Sequence, residues 1–164
     1  LPLLIIALGG IDLPGGAVYL HTDGFTKAQR TKVALAGPAA NIVLAAALLL
    51  TVRSVELTEQ NANLMATLTM LGFLQITAAV LNLIPMPGFD GYGAIEPYLS
   101  SQTRASAAKI APYGFLLVFA LLFIPALNRA FFDIIYSVIG IFGVPGGLVT
   151  EGWRLFLFWN GLGF

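Results

Sequence analysis

Residues 82–91, with the sequence NLIPMPGFDG, combine a carboxylate with several helix-breaking residues at the end of a long apolar run. Pro85 and Pro87 lack a backbone N–H and restrict the residue before them, so a helix arriving here must end. Gly91 directly follows Asp90 and permits tight backbone geometry. Because charges and irregular backbone are both costly in lipid, an ionisable residue beside a broken helix indicates a functional site in a membrane protein. The alternative is that Asp90 and Gly91 form an interfacial turn at a helix end.

The composition of the 164 residues indicates an integral membrane protein. Hydrophobic residues make up 58% and charged residues 10%, whereas a soluble domain carries about 25% charged residues. The length fits one membrane-embedded domain, residues 1–164, with about four to six crossings of about 20 residues each. The zero net charge gives no support for nucleic-acid binding. Cysteine is absent and His21 is the single histidine, which excludes disulfides, Cys-ligated metals and a multi-histidine metal site made by this chain alone.

The hydropathy pattern predicts an all-α, polytopic transmembrane helix bundle that is broken at residues 82–91. Residues 1–20 contain glycines and a proline in their second half, which favours a short helix followed by a re-entrant or interfacial loop. Spanning helices are expected at 32–52, 62–84 and 111–127, and a further apolar helix at 131–144.

Two further features are predicted for the last third of the chain. Asn128 and Arg129 are expected to interrupt the apolar run, and Arg129 could pair with Asp133 four residues later on one helix face. The tail contains Trp153 and Trp159 among other aromatic and charged residues. Because such aromatic residues favour the headgroup level, the tail is interpreted as an interfacial amphipathic helix.

The distribution of basic residues predicts an orientation. One group of cations precedes the span at 32–52 and another follows the proline break, and two spans separate them, so both groups should lie on one side. These cations are Lys27, Arg30 and Lys32, then Arg104 and Lys109. The positive-inside rule places this side, and hence Asp90, at the cytoplasmic face.

A second motif lies on the span at 32–52, where Gly37 and Asn41 are four residues apart and share a helix face. Ala34 and Ala45 extend that face as a stripe of small residues, which lets another helix approach closely. An amide at this depth needs a hydrogen-bonding partner. Taken alone, the motif is also compatible with plain helix–helix packing.

Together the two motifs, Gly-Pro-x-x-Asn and then Asn-x-x-Pro-x-Pro-x-x-Asp-Gly, resemble the site-2 protease family of intramembrane zinc metalloproteases. The matching residues are Gly37, Pro38, Asn41, Asn82, Pro85, Pro87, Asp90 and Gly91. The resemblance implies that Asp90 is the third ligand of one zinc ion. It also implies that Asn82 stabilises the reaction intermediate or positions the substrate, and that Asn41 helps to shape the site.

The chain departs from the family pattern because it contains no His-Glu-x-x-His. It begins at Leu1 inside an apolar run, so we interpret it as a fragment whose other zinc ligands and general base lie upstream. On that interpretation the chain alone should be inactive. The resemblance implies that the complete protein cleaves membrane-spanning proteins, and we place it in a bacterial plasma membrane.

Two alternatives stay open. One is a catalytically inactive, protease-like scaffold or substrate-binding protein in the membrane. The other is a transport-type protein in which Asn41, Asn82 and Asp90 form a buried polar cluster beside broken helices.

Overall fold

A computed structural model describes residues 24–157 of the chain. The expectations for residues 1–20, for His21 and for Trp159 lie outside the described residues. Every regular element within the described range is helical, in agreement with the predicted all-α class.

The first two helices are long, apolar and packed against each other. Helix α1 covers Lys27–Ser54 and helix α2 covers Ala62–Asn82, and both are long and apolar enough to cross a membrane. α1 begins five residues before the expected position 32 because Thr26 caps it. The Thr26 hydroxyl accepts from the Gln29 N–H at 3.3 Å, and the Gln29 amide oxygen accepts from the Thr26 N–H at 2.8 Å, which stabilises the first turn.

The predicted break after the second long helix is confirmed. α2 ends at Asn82, and a short helix α3 begins at Asp90 and ends at Ile95. Three more elements then follow along the chain: a 3-10 turn at Glu96–Tyr98, helix α4 at Ser101–Ile110 and a second 3-10 turn at Ala111–Tyr113.

The third expected span, 111–127, is wrong. Helix α5 covers only Gly114–Phe123, and helix α6 runs from Pro125–Ile141. Ile124 is extended, with φ −90° and ψ 110°, because a residue before proline disfavours helical geometry. Ten helical residues reach only about 15 Å, half of the hydrocarbon thickness.

The interruption expected at Asn128 and Arg129 is also wrong, since both lie inside α6. Proline at the first position of a helix is tolerated, so α6 can begin at Pro125 and continue through the two polar residues. Arg129 and Asp133 form no ion pair within residues 24–157.

The last helix, α7, covers Gly147–Phe156 and packs against α2. A Cβ on Gly152 would lie 2.5 Å from the carbonyl oxygen of Ala66, so only glycine permits this close approach. Val149 is fully buried in the same contact region. The amphipathic character expected for the tail is present, and the part of its apolar face around the buried Val149 packs against α2, whereas Phe156 is exposed.

A single core joins α1, α2, α6 and the region around α7. It consists of Ala45, Leu49, Val52, Met65, Phe73, Ile76, Ile135, Ile139, Val144 and Val149. The core leaves the start of α1 and the break region at one end of the molecule, where the candidate site lies.

Candidate functional site

Asp90 is the first residue of α3, and its carboxylate lies against Gly37 of α1. A Cβ built on Gly37 would be 3.3 Å from Asp90 Oδ2, so the absence of a side chain at Gly37 leaves room for the carboxylate. Asp90 is half-buried, and this loss of hydration raises the pKa of its carboxyl above the ordinary value. The structure thus brings together one residue from each predicted motif.

The rest of α3 docks along the first part of α1. The Thr31 hydroxyl donates to the Ala94 carbonyl oxygen at 2.8 Å, and a Cβ on Gly93 would lie 3.2 Å from the Ala34 Cβ. These contacts fix α3, and with it the carboxylate at its first residue. Thr31 and Gly93 were not identified from the sequence. The spacing of Thr31 from Ala34, and of Ala34 from Gly37, places Thr31 on the same small-residue face and could have indicated it.

The backbone of the break is folded tightly. A Cβ on Gly91 would lie 2.2 Å from the Leu83 carbonyl oxygen, so the chain after the prolines folds back onto the end of α2. Gly88 has φ +102°, a conformation that glycine adopts without steric cost. Both glycines are therefore required for the turn that presents Asp90.

Neither predicted asparagine contacts Asp90 through a hydrogen bond within the described part of the chain. Asn41 and Asn82 are both half-buried. Their sequence neighbours, Ile42 and Leu83, line the same apolar cavity of about 240 Å³ between α1, α2 and α6. The structure therefore places the two asparagines on adjoining helices, while their predicted chemical roles stay predictions.

The prolines of the two motifs have different environments. Pro38 lies inside α1 and is fully buried, although it cannot donate to the carbonyl four residues earlier. Pro85 is exposed and Pro87 half-buried in the break. The Pro87 carbonyl oxygen would lie 3.1 Å from a Cβ on Gly114, so the start of α5 supports the break from the other side.

The carboxylate is reached from the surface through an open hollow. Asp90, Glu96 and Arg104 contribute its polar lining, and α4 forms one wall. Among residues 24–157 no three side chains of His, Cys, Asp or Glu lie together as a metal site. Asp90 fits one position in a metal coordination sphere, and a complete site needs ligands from outside the described residues.

Fold and site together define a helical protein with two membrane-length helices and a half-buried carboxylate at the break that follows the second. A protein of Mycolicibacterium smegmatis with the name "Putative zinc metalloprotease Rip2" is 51% identical over 160 residues, 98% of this chain and 61% of that protein. The protein of the same name from Mycobacterium tuberculosis strain H37Rv is 44% identical over 160 residues, which are again 98% of this chain and 61% of that protein. A "Putative zinc metalloprotease" of Methanocaldococcus jannaschii is 31% identical over 90 residues, 54% of this chain and 45% of that protein.

Over nearly its whole length the chain is thus similar to proteins named as putative zinc metalloproteases, in agreement with the resemblance of its two motifs to the site-2 protease family. It spans about 61% of the length of the Rip2 proteins that it matches. No family model and no solved structure matches the chain.

Proposed function

We propose that this chain forms part of an intramembrane zinc metalloprotease and that Asp90 is one of the zinc ligands. The observation that carries the proposal is the position of the Asp90 carboxylate, which the break holds against Gly37. The relatives named as zinc metalloproteases support it. The family resemblance implies that the remaining ligands come from a His-Glu-x-x-His segment outside these residues.

Asp90 and two histidines from outside the described residues would hold a single zinc ion, which would supply a nucleophile at neutral pH and polarise a carbonyl group. The half-buried Asp90 suits this role because a carboxylate that has lost hydration gains more from a nearby cation than an exposed one does. Gly37 keeps that carboxylate close to α1. The hydrogen bond from Thr31 to the Ala94 carbonyl oxygen holds α3 against α1, and this orients the Asp90 carboxylate.

Asn82 and Asn41 complete the proposed site. The Asn82 amide can donate to an oxygen that gains negative charge, and such a donor is typically worth about 3 kcal/mol in the transition state. Asn41 has the same polar group one helix away and shapes the site from α1. The open hollow beside Asp90 gives water and a peptide a route from the surface.

The proposed substrate is a membrane-spanning protein, and the proposed location is a bacterial plasma membrane with Asp90 near the cytoplasmic side. The basic residues on this end of the molecule support that orientation. Cysteines introduced at Gln102 and Gln60 of the full-length protein should react from opposite sides of the membrane. Reaction of both from one side would contradict the orientation.

The experiment compares three variants of the full-length protein in vesicles with a reporter that has one membrane-spanning segment. Asp90→Asn should abolish cleavage. Asn82→Ala should slow cleavage about 100-fold, which corresponds to the loss of one oxyanion donor. Asp133→Asn is the matched control because Asp133 is exposed on α6 and lines a different hollow, and it should cleave normally. Normal cleavage by Asp90→Asn would refute the proposed site, and absence of cleavage in the unmodified protein would favour the scaffold alternative.

A further inference from the structure

Helix α4 is the element with the least packing in the described chain. None of its residues is buried, and Ala107 is the one residue of the helix that is half-buried rather than exposed. Its main contact is the 3-10 turn at Ala111–Tyr113 that follows it. A ten-residue helix is marginal on its own in water, so its surroundings must contribute to its stability.

Among residues 24–157, basic side chains outnumber acidic ones at the end of the molecule that carries α4. Five cations lie on α4 and the start of α1, and two carboxylates, Asp90 and Glu96, lie on the elements between them. The cations are Lys27, Arg30, Lys32, Arg104 and Lys109, of which all but the half-buried Arg30 are exposed. At the other end of the helix pair, the last turn of α1 carries the cation Arg53, and the loop that follows carries Glu56 and Glu59. The charge asymmetry therefore belongs to one end of the helix pair.

The two basic segments are adjacent in space. The Lys27 ammonium lies 5.8 Å from the centroid of the Tyr98 ring, and Tyr98 ends the 3-10 turn just before α4. A second tyrosine, Tyr113, ends the turn just after α4. Their exposed fractions are 59% and 57%. Exposed tyrosines at both ends of a basic helix are typical of the membrane–water interface, where the ring is apolar and the hydroxyl hydrated.

We propose that α4 and the first turns of α1 form a docking surface for the anionic headgroup layer of the membrane. The proposal depends on the membrane location given above, but it does not depend on proteolysis. Four exposed cations complement the negative charge of a layer of phosphate groups. The two exposed tyrosines favour the same level of the membrane, where the headgroups lie. The proposal places α4 at the interface, whereas the buried Val149 and Gly152 of α7 pack against α2.

This surface borders the route to Asp90. Arg104 and Ala108 of α4 line the open hollow that contains the carboxylate. Headgroups bound to α4 would therefore hold the wall of that hollow in place.

The test uses the full-length protein with one reactive cysteine at the exposed Ala105, any other cysteine having been replaced, and an environment-sensitive fluorophore on it. The protein is kept in neutral detergent micelles, and phosphatidylglycerol or phosphatidylcholine is added at increasing mole fraction. Phosphatidylglycerol should shift the emission to shorter wavelength, and phosphatidylcholine should not. Arg104→Gln with Lys109→Gln should weaken the apparent affinity about 25-fold, or about five-fold for each cation near the surface.

The matched control removes two exposed cations elsewhere, Arg129→Gln with Arg154→Gln, and should leave the affinity for phosphatidylglycerol unchanged. Equal responses to both lipids, or an affinity for phosphatidylglycerol that is unchanged by the loss of Arg104 and Lys109, would overturn the proposal. An equal response to soluble glycerol phosphate would overturn the proposal that a lipid surface binds here and would indicate a site for a small anion. A fully blue-shifted emission before lipid is added would overturn it, because α4 would then already be covered without anionic lipid. Cleavage is not measured, so failure here leaves the proposed protease function intact.

Discussion

Replacing Gly37 with alanine should weaken zinc binding while changing the stability of the protein only slightly. The added methyl carbon would lie 3.3 Å from Asp90 Oδ2, so the carboxylate must move by a few tenths of an ångström. Metal ligands tolerate deviations of about 0.2 Å. We therefore expect a loss of about 10- to 100-fold in zinc affinity, similar to that of other changes around metal ligands. Glycine in a helix interior costs about 0.5–1 kcal/mol relative to alanine. Gly37 precedes Pro38, however, and proline disfavours helical geometry at a preceding residue that has a Cβ, so we expect the two effects on stability to offset each other.

The two effects are measured separately on the full-length protein in detergent. Zinc affinity is obtained by titration with a competing chelator, and stability by thermal unfolding of the zinc-free protein. Gly140→Ala in α6 is the matched control, because a Cβ there meets nothing within 4 Å. It should leave zinc affinity unchanged.

Unchanged zinc affinity in Gly37→Ala would refute the reasoning, because it would show that Gly37 does not confine a zinc-binding carboxylate. A fall in stability together with normal zinc binding would show that Gly37 serves helix packing alone.

Three further predictions concern the stability of the fold. Gly91→Ala should destabilise the protein by about 2 kcal/mol or more in thermal unfolding, because the new Cβ would lie 2.2 Å from the Leu83 carbonyl oxygen. A variant as stable as the unmodified protein would contradict the backbone geometry described for the break. Arg53→Ala should cost about 1 kcal/mol, since the Arg53 guanidinium donates to the Phe142 carbonyl oxygen at 3.0 Å near the end of α6; no change would show that this bond is not formed in solution. Burial raises the pKa of the Asp90 carboxyl above its ordinary value of 3.8. The folded state therefore binds this proton more tightly than the unfolded state does, which stabilises the fold at low pH. That stabilisation is lost as the pH rises through the folded-state pKa. Without zinc, Asp90→Asn should therefore be more stable than the unmodified protein at pH 7 and equally stable at low pH, and a difference of the opposite sign at pH 7 would contradict this.

The sequence predicted the elements around the break well because proline and glycine act locally. Pro85 and Pro87 fix the end of a helix wherever the chain lies in space, and the structure ends α2 at Asn82. The same rule applied at Pro125 would have located the end of α5. Hydropathy hides this end, because Ile124 and its neighbours continue an apolar run and hydropathy alone does not show where helical hydrogen bonding stops.

The site itself was only partly predictable. The motifs identified Gly37 and Asp90, but their contact depends on α3 folding back along α1. That docking requires the short distances at Gly93 and the hydrogen bond from Thr31, which are tertiary features with no local sequence pattern. The packing of α7 against α2 is also a tertiary feature that the sequence does not predict. An amphipathic helix can bind either a protein or a lipid surface, and its sequence alone does not distinguish the two.

The most direct test of the account is the zinc content of the purified full-length protein, measured by elemental mass spectrometry for Asp90→Asn beside Asp133→Asn. We predict that Asp133→Asn keeps one zinc ion per chain and that Asp90→Asn loses most of it. Full zinc occupancy in Asp90→Asn would contradict the proposal that the carboxylate beside Gly37 is a metal ligand.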